Sequence, residues 1–292
     1  MSEQHAGGTP APSGAPMSLV DMIDHEVKAG RIELPVLPET ALKVRNLIDS
    51  DAALESLVEV IEREAALATA LLRYANSVAF SGLSEIADLH QAVTRLGLRA
   101  TEHAVLSVSM RNVFKSPDPE DDALLHQLWD HSLTVAIGAR RIASRTRGND
   151  PELAFLGGLL HDIGKIVVLR TVAEIKRQNP GRKLSQTSLF LLFDSLHCKI
   201  GEGLFEAWKL PAVIRDVVRD HHARDLSTQP QHVVVVAFAD QMAARLGMSL
   251  APTPDLELHT LPAAGLLELS ADEIAELLPM VAADAERARA AL

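Results

Sequence analysis

Along its 292 residues the chain places apolar side chains every third or fourth position, and almost nowhere at every second. That period constrains the fold more than any other feature. Spacings of three, four and seven line one face of a helix, whereas a half-buried strand needs strict alternation. In "LVEVIEREAALATALLRYANS", Leu57, Ile61, Ala68, Leu71, Leu72 and Ala75 recur this way as one run until Asn76-Ser77 breaks it. "LWDHSLTVAIGARRIASR" carries Trp129, Leu133, Ala136, Ile137 and Ala143 on one face. "HVVVVAFADQMAARLG" opens on four valines that would suit a strand, but its continuation predicts one long helix with Gly247 beyond its end. The expectation is an all-α, multi-helix bundle.

Punctuation residues divide this bundle. Residues 1–17, rich in Gly, Pro, Ser and Ala, read as a disordered tail. Ser18 is placed to cap a first helix that Gly30 would end, and the prolines of "LPVLP" (34–38) favour an extended segment. "IADLHQAVTRLGLRATEHAVLSVSMRNVF" predicts two helices joined around Gly97. The polar "KSPDPEDD" (115–122) is the best internal boundary. Pro151 suits the first turn of the helix that runs into His161. "SADE" starts a capping box for the last amphipathic helix. The organisation read from this is a helical N-terminal part over 18–114, a second part over 120–246 and a helical extension over 247–292.

Composition excludes several function classes. The net charge of −11 opposes a phosphate backbone, and 3% aromatic residues leave little for base stacking, so nucleic-acid binding is disfavoured. One weaker basic candidate is "RRIASRTR", with Arg140, Arg141, Arg145 and Arg147, which reads first as a solvated helix face. No run approaches the roughly 20 apolar residues of a membrane span. No secretory leader is visible. A single cysteine, Cys198, allows no internal disulfide, so a cytoplasmic location is expected, with Cys198 a structural thiol.

The chemistry concentrates elsewhere. His131 lies beside the apolar face of its helix, and His221 and His222 continue the stripe of Ile214, Val217 and Val218. Asp240 follows Val233 and Val236 at inward spacings, while His161-Asp162 ends an apolar run and His197 stands in "LHCKIG". A lone inward carboxylate would face a large desolvation cost. Several imidazoles and carboxylates converging from different elements are what a divalent metal needs. Each residue alone has a plainer reading, such as a hydrogen-bonded core histidine or a helix cap; together they make a candidate metal centre.

The order His131, His161-Asp162, Asp240 resembles the HD superfamily of metal-dependent phosphohydrolases, and His197 with His221-His222 is similar to the further histidines of HD-GYP phosphodiesterases. The strongest resemblance is to the HDOD family, an HD-related output domain of bacterial signalling proteins. It rests on "LPVLPETALKVRNLI", "ALATALLRYANSVAFSG", "DLHQAVTRLGLRAT", "LWDHSLTVA" with "AFLGGLLHDIGK", and "HCKIGEGLFEAWKLPAVIRDVVRDHH", over about residues 20 to 246. No Gly-Tyr-Pro follows His222, "EAAL" (64–67) stands where Asp-Pro is usual, and "LFLLFDSL" offers no in-register acidic residue before His197, Asp194 being out of step.

The resemblance implies an N-terminal helical subdomain packed on an HD-like subdomain, and a stand-alone bacterial regulatory protein. Such a protein binds signalling partners (receiver or diguanylate-cyclase proteins) or a cyclic dinucleotide or other nucleotide, without catalysis. It also implies one or two divalent ions (Fe, Mn, Zn, Ni or Mg) held by His131, His161, Asp162, His197, His221, His222 and Asp240. The alternative is a metal-dependent phosphohydrolase of a cyclic nucleotide or other phosphoester, with Lys165 as the candidate phosphate contact.

Overall fold

The computed structural model describes residues 19–28, 35, 37–77, 86–179, 181, 184–208 and 210–291. The expected tail over 1–17, the Ser18 cap, Gly30, and Leu34 and Val36 of "LPVLP" lie outside them. Among the described residues there are fourteen α-helices and no strand. They are α1 (Leu19–Lys28), α2 (Glu39–Asp49), α3 (Leu54–Glu62), α4 (Ala65–Ser77), α5 (Leu89–Leu96), α6 (Leu98–Met110), α7 (Pro119–Ala143), α8 (Pro151–Leu160), α9 (Ile163–Gln178), α10 (Gln186–Trp208), α11 (Ala212–Asp220), α12 (Gln231–Arg245), α13 (Pro262–Leu266) and α14 (Ala271–Ala291). No described helix is long and apolar enough to cross a membrane.

Local chemistry accounts for most of the boundaries. Asp118 and Asp150 cap α7 and α8 by accepting from backbone N–H groups of the first turn, each followed by proline at N1. Helix α7 thus begins inside "KSPDPEDD", which shortens the connection to Lys115–Asp118. Ser270 and Glu273 form the capping box of α14, each side chain bonding the other's backbone N–H. The four valines lie within α12, every one buried, so packing on all sides rather than strand propensity explains them.

One expectation is corrected. The apolar run from Leu57 to Ala75 is two helices, broken at Arg63-Glu64. Ile61 and Leu67 are both buried yet six residues apart, which in a continuous helix would place them about 120° out of line. The break realigns the two stripes. The polar end of "YANS" gains a purpose here: the Asn76 amide donates to the Ile86 carbonyl and accepts from the Ile86 N–H, both at 2.9 Å.

Helix α7 is the spine. It packs on α8, α12 and α14, while α9 pairs with α10 and α11 bridges α8, α10 and α12. The N-terminal helices α2 to α6 dock on this HD-like half through α6 against α8 and α4 against α14, and one continuous core runs from Ile23 to Ala288. A polar network seals the junction. Arg140 (α7) donates to the Tyr74 hydroxyl (α4) at 2.5 Å and to Glu152 (α8) at 2.7 Å, with its guanidinium 4.1 Å over the Phe155 ring, and His103 (α6) meets the same carboxylate at 3.2 Å. Arg141 pairs with the buried Asp284 of α14. Half of the basic run is therefore structural rather than a ligand-facing patch.

Two glycines set the approach of the helices that carry the histidines. A Cβ at Gly158 would lie 2.7 Å from the Ala136 backbone on α7, and one at Gly164 would lie 2.0 Å from the His197 carbonyl oxygen on α10. Gly164→Ala should therefore force α9 and α10 apart, at about 1–3 kcal/mol or more of overpacking strain. Thermal unfolding should show Tm lowered by roughly 2–4 °C per kcal/mol. An unchanged Tm would mean that the two backbones are not in contact.

Candidate metal centre

The His161-Asp162 pair occupies the kink between α8 and α9, as the C-cap of one helix and the N-cap of the next. From there the Asp162 carboxylate faces α7, α10 and α11 at once. Its Oδ2 lies 3.4 Å from Nε2 of both His131 and His161 and 2.5 Å from the Lys165 ammonium. Its Oδ1 lies 3.4 Å from His197 Nε2 and 3.7 Å from His221 Nε2, yet it has no hydrogen-bond partner. Asp240, on α12, meets His131 Nε2 at 3.2 Å. Two ligand-like groups result, His131–His161–Asp162 and Asp162–His197–His221–His222, with Asp162 common to both.

Each of four imidazoles is held by its other nitrogen. Nδ1 of His131 donates to the Met248 carbonyl (2.6 Å), of His161 to Gly158 (2.7 Å), of His197 to Phe193 (2.6 Å) and of His221 to Val217 (3.0 Å). A carbonyl oxygen can only accept, so Nδ1 carries a proton in all four and every Nε2 turns inward. As a result His197 and His221 face each other Nε2 to Nε2 at 3.3 Å, and both face a carboxylate oxygen. Acceptors gathered around an orphaned buried oxygen are the arrangement a divalent cation resolves, and the N/O donor set fits one.

The electrostatics agree. Burial drives the protons off His197 and His221, taking each to about 4, and lowers His222 too. His131 behaves oppositely: burial would expel its proton, but Asp162 and Asp240 outweigh that and raise it to about 10. Burial likewise opposes charge on both carboxylates, but His161 and Lys165 hold Asp162 well below the usual range, and His131 holds Asp240 down. Lys165, raised by Asp162 against its own burial, spends its ammonium on that carboxylate. Cys198 Sγ sits 3.2 Å from His197 Nε2, and burial pushes its thiol up to about 12, which keeps it protonated and unreactive.

The structure thus brings all seven sequence candidates to one place, though not equally. His131, His161, Asp162, His197 and His221 are buried at 4% exposure or less, Asp240 is partly open, and His222 is exposed at the rim, off the inward stripe expected for it. The Met248 carbonyl was invisible to sequence reasoning, because a backbone acceptor has no residue identity. Its only trace was Gly247, which at φ +79° reverses the chain there.

A family model, the HDOD domain, matches residues 34–224. The chain belongs to the HDOD family. A protein of Treponema pallidum of uncharacterised function is 29% identical over 239 residues, which is 76% of this chain and 43% of that one, so the chain spans under half of that relative's length. Among solved structures, an HDOD domain protein of unknown function from Geobacter sulfurreducens superimposes with TM-score 0.69 at 24% identity, over 92% of this chain and 96% of that one. A Shewanella amazonensis protein provisionally named a metal-dependent phosphohydrolase gives 0.75 at 22% identity, over 94% and 97%. A Marinobacter aquaeolei protein provisionally named for signal transduction gives 0.64 at 21%, over 95% of this chain and 61% of that one. At these identities the likeness is one of fold.

The shifts give the chelator-treated protein a definite pH profile. Between pH 4 and 6.5 the unfolded chain protonates His197 and His221 while the folded one does not, so stability rises with pH there. Between 6.5 and about 10 the folded chain keeps the His131 proton that the unfolded chain releases, so stability falls. Urea unfolding across this range should peak near pH 6.5, and His131→Gln should flatten the alkaline limb alone. An alkaline limb identical in the variant would refute the assignment.

Proposed function

We propose that this HDOD protein is a non-catalytic regulator whose HD-like half retains a divalent metal as an internal fastener, and whose helical surface engages a bacterial signalling protein. The observation that carries the metal is the inward convergence of four imidazole Nε2 atoms on the Asp162 carboxylate, two toward each oxygen, with Oδ1 left without a hydrogen-bond partner. His131, His161 and Asp162 would hold one ion. Asp162, His197, His221 and His222 would hold a second, with Asp240 beside His131. An imidazole-rich set suits manganese, iron, nickel or zinc and suits magnesium poorly.

Burial supports a fastening role over a hydrolytic one. A phosphoester would have to reach donors that are 4% exposed or less, and the Lys165 ammonium that could meet its oxygens is already bound to Asp162. No Gly-Tyr-Pro follows His222. Partner classes consistent with the family are receiver and diguanylate-cyclase proteins, with a cyclic dinucleotide or other nucleotide as the small-molecule counterpart, and a cytoplasmic setting fits them.

The second reading is a metal-dependent phosphohydrolase. It is favoured by the sharing of Asp162 between two groups and by the openness of His222 and Asp240. In that case the metal would supply Lewis acidity and an activated water, while the residues of this chain would position the ions and hold Lys165 at the carboxylate.

Elemental analysis of protein purified without added metal should find one or two ions per chain in the wild type and none in a His161→Ala, Asp162→Ala variant. Chelation should lower the wild-type Tm, as loss of any ligand specific to the folded state does. Metal-loaded wild type should hydrolyse cyclic dinucleotides, nucleotides and simple phosphodiesters, followed by chromatography of the products, no faster than that variant. Absence of metal from the wild type sinks the centre. A metal-dependent rate well above the variant's establishes the second reading instead.

A further inference from the structure

A second site lies away from the metal centre, where the N-terminal helices meet α8 and the start of α11. A cavity of about 110 Å³ opens there between Leu42, Leu106, Leu153, Leu156 and Leu210. Leu153 sits toward the opposite end of α8 from His161, and Leu156 midway along it. Eight residues separate Leu153 from His161, about 12 Å along the helix. An apolar cavity of roughly this size accommodates a group of about four to six heavy atoms.

The polar lining is unusual for a packing defect. His103 lines the cavity although it is only 2% exposed, and its Nε2 has no hydrogen-bond partner among the described residues. Its Nδ1 faces Glu152, whose carboxyl is lowered; burial opposes that, but His103 and Arg140 outweigh it. A carboxylate can only accept, so Nδ1 carries a proton toward Glu152, and Nε2 is left as a polar atom at the cavity with no partner of its own. Arg99 and Glu102, one turn apart on α6, also line the cavity, and neither has an ion pair or hydrogen bond among the described residues. At the same mouth Arg45 is already set against Asp49 at 3.8 Å.

We infer that this cavity binds a free α-amino acid with a branched aliphatic side chain. The leucine-lined space takes the side chain, Arg99 faces the carboxylate, Glu102 accepts from the ammonium, and His103 Nε2 hydrogen-bonds the ligand's polar end. A purely apolar ligand would leave the buried His103 nitrogen unsatisfied, and a fatty acid would leave Glu102 opposite its own charge. The zwitterion answers every group.

Calorimetric titration of the full chain with L-leucine, L-isoleucine, L-valine, 4-methylpentanoate and 3-methylbutylamine tests this. At least one of the amino acids should bind saturably at one per chain, and each analogue lacking one charged group should bind at least tenfold more weakly than leucine. Arg99→Gln and Glu102→Gln should each weaken binding tenfold or more while leaving Tm unchanged. His161→Ala, Asp162→Ala protein, if folded, should still bind, which separates this site from the metal centre. No saturable binding at millimolar ligand, equal binding of 4-methylpentanoate, or binding indifferent to both α6 variants would each overturn the inference.

Discussion

The structure is organised around one buried negative charge. Asp162 is withdrawn almost wholly from water, a position costly for a carboxylate unless partners surround it. Those partners come from four separate helices and from the junction on which Asp162 itself sits: His131 on α7, Lys165 on α9, His197 on α10, His221 at the end of α11. A helix bundle needs only apolar faces to collapse. It needs something more to fix which helix ends meet, and here the charge imposes that register. The close backbone contacts at Gly158 and Gly164 are the steric side of the same requirement, since the imidazoles reach the carboxylate only if their helices nearly touch.

The two halves of the molecule solve their polar burial differently. In the HD-like half the histidines turn their Nε2 atoms toward Asp162, whose Oδ1 has no hydrogen-bond partner. At the junction, Arg140 and Glu152 supply opposite charges of their own, and Tyr74 and His103 hydrogen-bond to them. An ion pair holds the subdomains together, and a carboxylate oxygen without a partner sits at the heart of the HD-like half.

Much of this was legible from residue spacing. The all-α architecture followed from period 3.6, the α7 face from Trp129 to Ala143 is buried as read, and the pairing of α5 with α6 around Gly97 is where the pattern put it. The seven site residues were legible because chemistry-bearing side chains on apolar stripes are conspicuous. What stayed hidden had no such mark. The break at Arg63-Glu64 lies in a stretch of good helix formers and is set by tertiary alignment of Ile61 with Leu67, which single-sequence periodicity does not contain. The roles of Arg140 and Arg141 were misread as surface because their acidic partners, Glu152 and Asp284, stand 12 and 143 residues away. His222 was counted with the inward stripe, but it falls past the end of α11, where helical phase no longer applies.

The family match ends at residue 224, and the ring of groups around the carboxylate does not. Asp240 on α12 and the carbonyl of Met248, offered by the reversal at Gly247, both come from beyond it. The final helix, α14, in turn lies on α7, the helix bearing His131. Residues beyond the match thus hold both ring nitrogens of His131, Asp240 at one and the Met248 carbonyl at the other. A unit defined by family likeness alone would leave that imidazole without either contact.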